Sequence, residues 1–171
     1  MKQPLYLLLF LIIPFLSFAQ DKNQIMQQAL LVAKATKDKD YATVVKYTHP
    51  SLIQMIGGND AMMKLLATTM KTIAEQGISI DSVSLDPPGS NFKAGDEIHC
   101  LLPQTVIMKF KTDKKIIAKG YLLAISKDNG LNWSFLNLTE ELNNQTITKL
   151  LPNFNQALKL PTDSKMEVID N

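Results

Sequence analysis

Three consecutive stretches decide the fold of this chain: EIHCLLPQTVIMKFKT (residues 97–112), KKIIAKGYLLAISK (114–127) and LNWSFLNL (131–138). Apolar residues alternate with others along the first stretch, and successive side chains of an extended strand point to opposite faces of a sheet. The pattern therefore predicts three antiparallel strands. One parity of the first stretch forms a core face, with these members: Ile98, Cys100, Leu102, Val106, Met108 and Phe110.

The second stretch is apolar on both parities, which is typical of a strand that is covered on both faces. The helices that precede the sheet in the sequence cover one face only. We therefore expect the outer face to be covered by the C-terminal segment or by a second copy of the protein, which would make a homodimer. In the first stretch Pro103 lacks a backbone N–H, so the strand should be bulged, bent or at an edge there.

Asn129-Gly130 lies between the second and third stretches and predicts a tight hairpin, because both residues readily adopt the positive φ angles that such turns need. The surrounding residues also resemble the S-x-D-x-G-x-x-W pattern of the Asp-box, a loop motif of sialidase-type propellers, with Ser126, Asp128, Gly130 and Trp133 at the pattern positions. Propellers carry several copies of this motif, whereas this sequence shows one and is too short for a propeller. A plain hairpin is the simpler interpretation, and Trp133 is then a core or pocket-wall aromatic.

Residues 1–19 predict a secretory signal peptide, because Lys2 is followed by a short uncharged apolar run that ends in Ser17-Phe18-Ala19. Cleavage would follow Ala19. The apolar run is shorter than the ~20 residues of a membrane-spanning helix, and an uncleaved anchor is the alternative. We expect an exported protein, periplasmic or secreted, that has no membrane association after cleavage.

Composition narrows the classes of function. The chain of 171 residues has 18 basic side chains, all of them lysine, and 16 acidic ones. Because recognition of phosphate and guanine relies on arginine, this composition argues against nucleic-acid binding. Two histidines are too few for a histidine-rich metal site, and we expect neither a metal nor a cofactor. Cys100 is the single cysteine, so we interpret it as a buried free thiol.

Helical spacing of apolar residues predicts three main helices before the sheet. The first is capped by Asp21 or Asn23. The second covers residues 41–48 after the cap residue Asp40, a short helical turn follows Pro50, and the third main helix ends at Gln76, before a strand over residues 78–85.

A further helix is predicted to begin at Thr139 and to end before Pro152. Residues 20–160 thus form a single α+β domain, with N-terminal helices packed on a curved antiparallel sheet and an extra C-terminal helix. Residues 161–171 are predicted to be a flexible tail.

The order of elements resembles the nuclear transport factor 2-like cone fold, in which early helices close over a strongly bent sheet. The resemblance covers residues 21–138 and rests on the His49-Pro50 stop after the second helix, on Gly57-Gly58 before the third main helix, and on the long final strands. It implies a conical cavity between helices and sheet. Members of this fold include enzymes such as ketosteroid isomerase and many non-catalytic binding or dimerising modules, so the fold alone does not decide the function.

Two functions fit these features. The first, which we favour, is an exported domain that binds an apolar small molecule or a protein partner, with these ligand-binding candidates: Tyr47, His49, Tyr121 and Trp133. The second is a small acid–base enzyme for an apolar substrate, whose polar groups would come from Tyr47, His49, Tyr121 or Glu97. The enzyme requires at least two of these groups to converge in one cavity. We assign no catalytic residue.

Overall fold

The computed structural model describes residues 16–112, 114–139, 142, 144–161 and 165–170, with side chains from Lys22 onward. It has an α+β architecture with a curled antiparallel sheet. The helices are α1 (Leu16–Asp38), α2 (Tyr41–Tyr47), α3 (Pro50–Ile56), α4 (Asn59–Glu75) and α5 (Asn144–Leu150). The strands are β1 (Ile78–Leu85), β2 (Phe92–Ala94), β3 (Glu97–Phe110), β4 (Lys114–Ser126), β5 (Ser134–Asn137) and β6 (Lys165–Asp170).

The boundaries of α2 and α3 follow from local chemistry. The carboxylate of Asp40 accepts a hydrogen bond from the backbone N–H of Thr43 at 3.1 Å, which confirms Asp40 as the cap of α2. Pro50 occupies the first turn of α3, where its missing N–H is not needed. Gly57 ends α3 with a φ of 107°, a left-handed conformation that glycine adopts without steric cost.

The first helix differs from the sequence-based expectation at its start. α1 begins at Leu16, and both predicted cap residues, Asp21 and Asn23, lie within the helix. Residues 1–15, which hold most of the predicted signal peptide, lie outside the described part of the chain. Within the described part, every helix is too short or too polar to cross a bilayer.

A long hairpin of β3 and β4 forms the centre of the sheet, with Ile98 opposite Ser126 at one end and Lys109 opposite Lys115 at the other. β1 and β2 pair with β3, and β5 and β6 pair with β4. Pro103 lies next to the gap between β1 and β2, and its carbonyl accepts a hydrogen bond from the N–H of Asp86 at 3.0 Å, beyond the end of β1. The absent N–H of Pro103 faces the same gap, so this proline is accommodated within a central strand and leaves no strand partner unsatisfied.

Two hydrophobic clusters cover opposite faces of this hairpin. On the inner face, which contacts α1, the cluster consists of Ile25, Ala29, Cys100, Leu102, Leu122, Ala124, Trp133 and Phe135. On the outer face, the sheet residues pack against α5 and the residues after it, and this cluster consists of Leu123, Ile125, Leu136, Ile147, Leu150, Leu151, Phe154 and Leu158. The C-terminal segment, and not a second copy of the protein, therefore covers the outer face at this end of the hairpin, and β4 is buried on both faces as predicted.

The predicted flexible tail contains a strand. β6 pairs with residues 114–119 of β4, because β5 pairs only with residues 122–125 and leaves the backbone groups of the preceding residues open on that edge. All six side chains of β6 are exposed, so the sequence of this strand lacks the buried alternation by which the other strands are recognised. β2, with three residues, is too short to show any period.

Candidate functional site

A cavity of about 220 Å³ lies between the helices and the inner face of the sheet. Side chains from α1, α2 and α4 form one side of it, and side chains from β1, β3, β4 and β5 form the other. Its apolar lining consists of Val32, Ala33, Val44, Leu66, Val83, Leu85, Val106, Leu122 and Phe135. The cavity thus lies between the two layers of the fold.

Polar groups of the cavity lie at its β5 side and on α2. The side-chain N–H of Gln104 donates to the side-chain oxygen of Asn137, and both residues line the cavity. An amide pair has more donors and acceptors than this one bond uses, so it can also bond to a ligand. The hydroxyl of Thr48 donates to the carbonyl of Val44 at 2.8 Å within its own helix and is less suited to that role.

Tyr47 is the predicted ligand-binding residue that lines this cavity. Its ring is tilted against the ring of Phe135, with 6.5 Å between the centroids, and the ammonium group of Lys46 lies 5.5 Å from the centroid of the Tyr47 ring. The position of Tyr47 at the end of α2 is fixed by Pro50, which starts a new helix and prevents α2 from continuing.

Trp133 is instead a core residue that closes the loop between β4 and β5. Its indole N–H donates to the carbonyl of Gly130 at 2.9 Å, and its side chain is buried in the inner cluster. The carboxylate of Asp128 accepts from the N–H of Asn132 at 2.8 Å, and the hydroxyl of Ser126 accepts from the N–H of Gly130 at 2.9 Å. Asn129 and Gly130 have the predicted positive φ angles. The prediction of a tight hairpin is nevertheless wrong, because the strand pairing ends at Ile125 and Ser134 and the hydrogen bonds close a longer loop between them.

Tyr121 lies on the other face of the sheet. It lines an open groove of about 620 Å³ together with Lys119, Lys159 and Lys165, opposed by the carboxylate of Asp86. The predicted ligand-binding residues Tyr47 and Tyr121 therefore belong to two separate sites.

His49 is buried with 1% exposure at the N-terminus of α3. Its ring nitrogen Nδ1 accepts the backbone N–H of Ser51 at 3.3 Å, and the backbone N–H of His49 donates to the carbonyl of Phe135 at 3.1 Å. Thr48 forms a parallel bridge with Phe135, and both side chains reach the inner cavity. Because neighbouring extended residues point to opposite faces, the side chain of His49 is directed to the outer face.

A second buried polar group lies on the outer face at the start of β3. Nε2 of His99 is 3.0 Å from Oε2 of Glu97, and the ammonium group of Lys127 is 3.1 Å from Oε1 of the same carboxylate. The ring of His99 is fully buried and stacks on the ring of Phe154, with 5.6 Å between the centroids. We call His49, Glu97, His99 and Lys127 the histidine cluster.

The charges of the histidine cluster act on one another. Burial lowers the pKa of His49 below its ordinary value of 6.5; the charge of Glu97 opposes this effect, and the charges of Lys127 and His99 add to it. Burial alone would raise the pKa of Glu97, but hydrogen bonds from His99 and Lys127 outweigh it, so the pKa lies below its ordinary value. Glu97 is therefore ionised near neutral pH, even though the residue is buried with only 8% of its surface exposed.

Sequence reasoning did not identify His99 and Lys127 as site residues. The signal was available in the hairpin, since Glu97 and His99 share a parity and Lys127 directly follows the strand residue that pairs with Ile98.

The prediction that His99 and Cys100 point to opposite faces is confirmed, because Cys100 belongs to the inner cluster. Burial raises the pKa of the Cys100 thiol to about 11, which makes it a poor nucleophile. In the part of the chain that the structure describes, no group of three or more ligating side chains could hold a metal ion.

Neither a protein-family model nor a curated protein sequence matches this chain. Its function therefore has to follow from the inner cavity and the histidine cluster.

Proposed function

We propose that this chain is an exported domain that binds a small, largely apolar molecule in the inner cavity. The observation that carries the proposal is the lining: apolar side chains from both layers surround the space, and a few polar side chains, among them Tyr47, Gln104 and Asn137, also line it. Ligand pockets commonly combine an apolar wall with a few placed polar groups that orient the ligand. A molecule with an apolar body and one carbonyl or hydroxyl group suits this arrangement.

The proposed arrangement of the layers is cone-like, as in the nuclear transport factor 2-like fold that the sequence resembles. Two features support it. The sheet is curled, and three of the helices before it contribute residues to one cavity wall while four strands contribute the other. The cavity would then be the narrow interior of the cone.

The volume limits the size of the ligand. A cavity of about 150 Å³ accepts benzene, and pockets for drug-sized ligands usually exceed about 300 Å³. The inner cavity, at about 220 Å³, falls between the two. We therefore propose a ligand of one or two rings, or a branched chain of comparable bulk.

Binding is better supported than the acid–base enzyme. Among the four polar groups named for catalysis, Tyr47 lines the inner cavity, Tyr121 lines the outer groove, and His49 and Glu97 belong to the buried histidine cluster. The enzyme needs two of them at one substrate-sized cavity. The main reason to expect a homodimer also no longer applies, because the C-terminal segment covers the part of the outer face that a second copy was expected to cover.

The test is a titration of the mature protein with toluene and with indole, followed by chemical-shift changes of cavity methyl groups. We expect saturable shifts confined to residues of the inner cavity, and a rise in stability of about 2.7 kcal/mol at a ligand concentration 100 times the dissociation constant. Val106→Phe should fill the cavity and abolish binding.

Ile107→Phe is the matched control, because Ile107 is the next residue on the same strand and pairs on the outer face. It should leave binding unchanged. Binding that survives Val106→Phe, or that is lost equally in both variants, would contradict the proposal. Export is tested separately by mass spectrometry of the secreted product, which should begin at Gln20.

A further inference from the structure

The outer groove, which Tyr121 lines, collects positive charge. Its described lining contains three exposed lysines, Lys119, Lys159 and Lys165, and one acidic residue, Asp86. Each lysine comes from a different segment, namely β4, the C-terminal segment and the start of β6. The fold therefore brings together like charges that are distant from one another in the sequence.

Strand pairing places two of these lysines directly opposite each other. Lys119 of β4 pairs with Lys165 of β6 in the antiparallel register. Directly opposed residues of such a pair have Cβ atoms about 4.5–5.5 Å apart, and like charges at these positions destabilise a sheet. A negative charge between the two ammonium groups would remove this cost.

Other lysines of the same sheet have a compensating carboxylate. Lys109 and Lys115 are also opposed, across β3 and β4, but the ammonium group of Lys109 lies 2.6 Å from a carboxylate oxygen of Asp81. Lys114 lies 3.9 Å from the carboxylate of Asp170, its partner on β6. Within the described part of the chain, by contrast, none of the three groove lysines forms an ion pair. An anion from solution would supply the charge that the groove lacks.

The remaining lining indicates which kind of anion fits. Thr105 pairs with Lys119 across β3 and β4, so their side chains lie on the same face. Tyr121 is two residues further along β4 and shares that face as well. Leu160 and Pro161 add apolar surface to the groove. The groove thus combines ammonium groups and hydroxyl donors with an apolar wall.

We propose that the outer groove binds a small organic phosphate monoester. Three ammonium groups and one carboxylate leave two positive charges among the described lining residues, and a phosphate monoester carries a charge of about −1.5 to −2 near pH 7. Lysine binds phosphate as a point charge, so the site does not need the planar geometry of arginine. The volume of about 620 Å³ is in the usual range of small-molecule sites, roughly 300–1,000 Å³.

The test is an NMR titration of the mature protein with phenyl phosphate, compared with inorganic phosphate and with benzoate. We expect saturable chemical-shift changes confined to groove residues such as Gly120 and Tyr121. Phenyl phosphate should bind about tenfold more tightly than either comparison ion, because inorganic phosphate lacks the apolar part and benzoate carries a single charge. No saturable shift with phenyl phosphate, or an affinity no higher than that of either comparison ion, would overturn the proposal.

Lys119→Gln removes one charge from the groove, and Lys115→Gln is the matched control on the same strand and the same face, outside the lining. Lys119→Gln should weaken the binding of phenyl phosphate about tenfold or more. It should also raise the midpoint of thermal unfolding, because it separates the opposed like charges. Lys115→Gln should retain the wild-type affinity.

Equal losses of affinity in the two lysine variants would show that general charge attraction alone is responsible and would refute the site. A lower unfolding midpoint in Lys119→Gln would refute the uncompensated lysine pair. Val106→Phe, which fills the inner cavity, should leave the binding of phenyl phosphate unchanged. The groove is therefore tested independently of the proposed apolar ligand.

Discussion

Acidification should destabilise the protein through His49. Burial holds the pKa of the folded His49 ring below 6.5, whereas the ring in the unfolded chain titrates near that value. As the pH falls through 6.5, the unfolded state therefore takes up a proton that the folded state does not, and the free energy of unfolding decreases. A ring that stayed fully neutral in the folded state would set the upper limit of this effect, a decrease of about 1.4 kcal/mol in the free energy of unfolding over about two pH units centred on 6.5.

Urea denaturation followed by the fluorescence of Trp133 measures this effect, because Trp133 is the single tryptophan and is 3% exposed. The control is His49→Asn, which keeps the cap on Ser51 and cannot titrate. The difference in the free energy of unfolding between wild type and His49→Asn should decrease as the pH falls from about 7.5 to about 5.5. The carboxyl group of Glu97, whose folded pKa is lowered, loses its contribution only as the pH falls through and below about 4.5, so it does not interfere. Wild-type stability that is constant or increases on acidification, or an equal decline in His49→Asn, would refute the reasoning.

Three further outcomes follow from the packing. Phe154→Ala removes the ring that stacks on His99 in the outer cluster and should lower the free energy of unfolding by about 3–5 kcal/mol in urea, whereas little change would show that the C-terminal segment is not docked. Cys100 should react with a disulfide reagent only on unfolding, since its thiol is 0% exposed with a pKa of about 11, and rapid labelling of the native protein would contradict this. Asp128→Ala should destabilise by about 1–2 kcal/mol through loss of the bonds from Asn132, with the neutral Asp128→Asn retaining part of them; equal stability of wild type and Asp128→Ala in thermal melts would remove the loop closure as a stabilising feature.

The parts of the fold that buried side chains specify could be predicted from the sequence. Alternation along β3 places Cys100 and Leu102 on the inner face and His99 on the outer face. β4 is apolar at alternate and at intervening positions, which requires that both of its faces be covered. The cap at Asp40 and the break at Pro50 depend on one residue and its immediate neighbours. β6 could not be predicted in this way, because backbone pairing with β4 places it and its side chains remain exposed.

The site residues show the same division. Tyr47 lines the inner cavity and Tyr121 lines the outer groove, and this separation depends on how the strands pair, which the sequence near either residue does not show. Trp133 was interpreted as a core or pocket-wall aromatic, and it does belong to the inner cluster; its bond to the carbonyl of Gly130 depends on the loop conformation and could not be predicted. The histidine cluster brings together residues from α3 and the β3–β4 hairpin, and no local pattern in the sequence links those segments.

The register of the central hairpin connects the inner cavity to the histidine cluster. A slip of β3 by one residue would turn Glu97 and His99 to the inner face and Cys100 and Leu102 to the outer face, since side chains alternate along a strand. Glu97 and His99 in an apolar cluster would lose Lys127 as a partner, and a buried carboxylate without a partner is strongly unfavourable. The pairing of Glu97 with His99 and Lys127 therefore favours the register in which the inner cavity keeps its apolar lining. In this sense the charged residues of the outer face preserve the apolar lining of the inner cavity, although they do not line it.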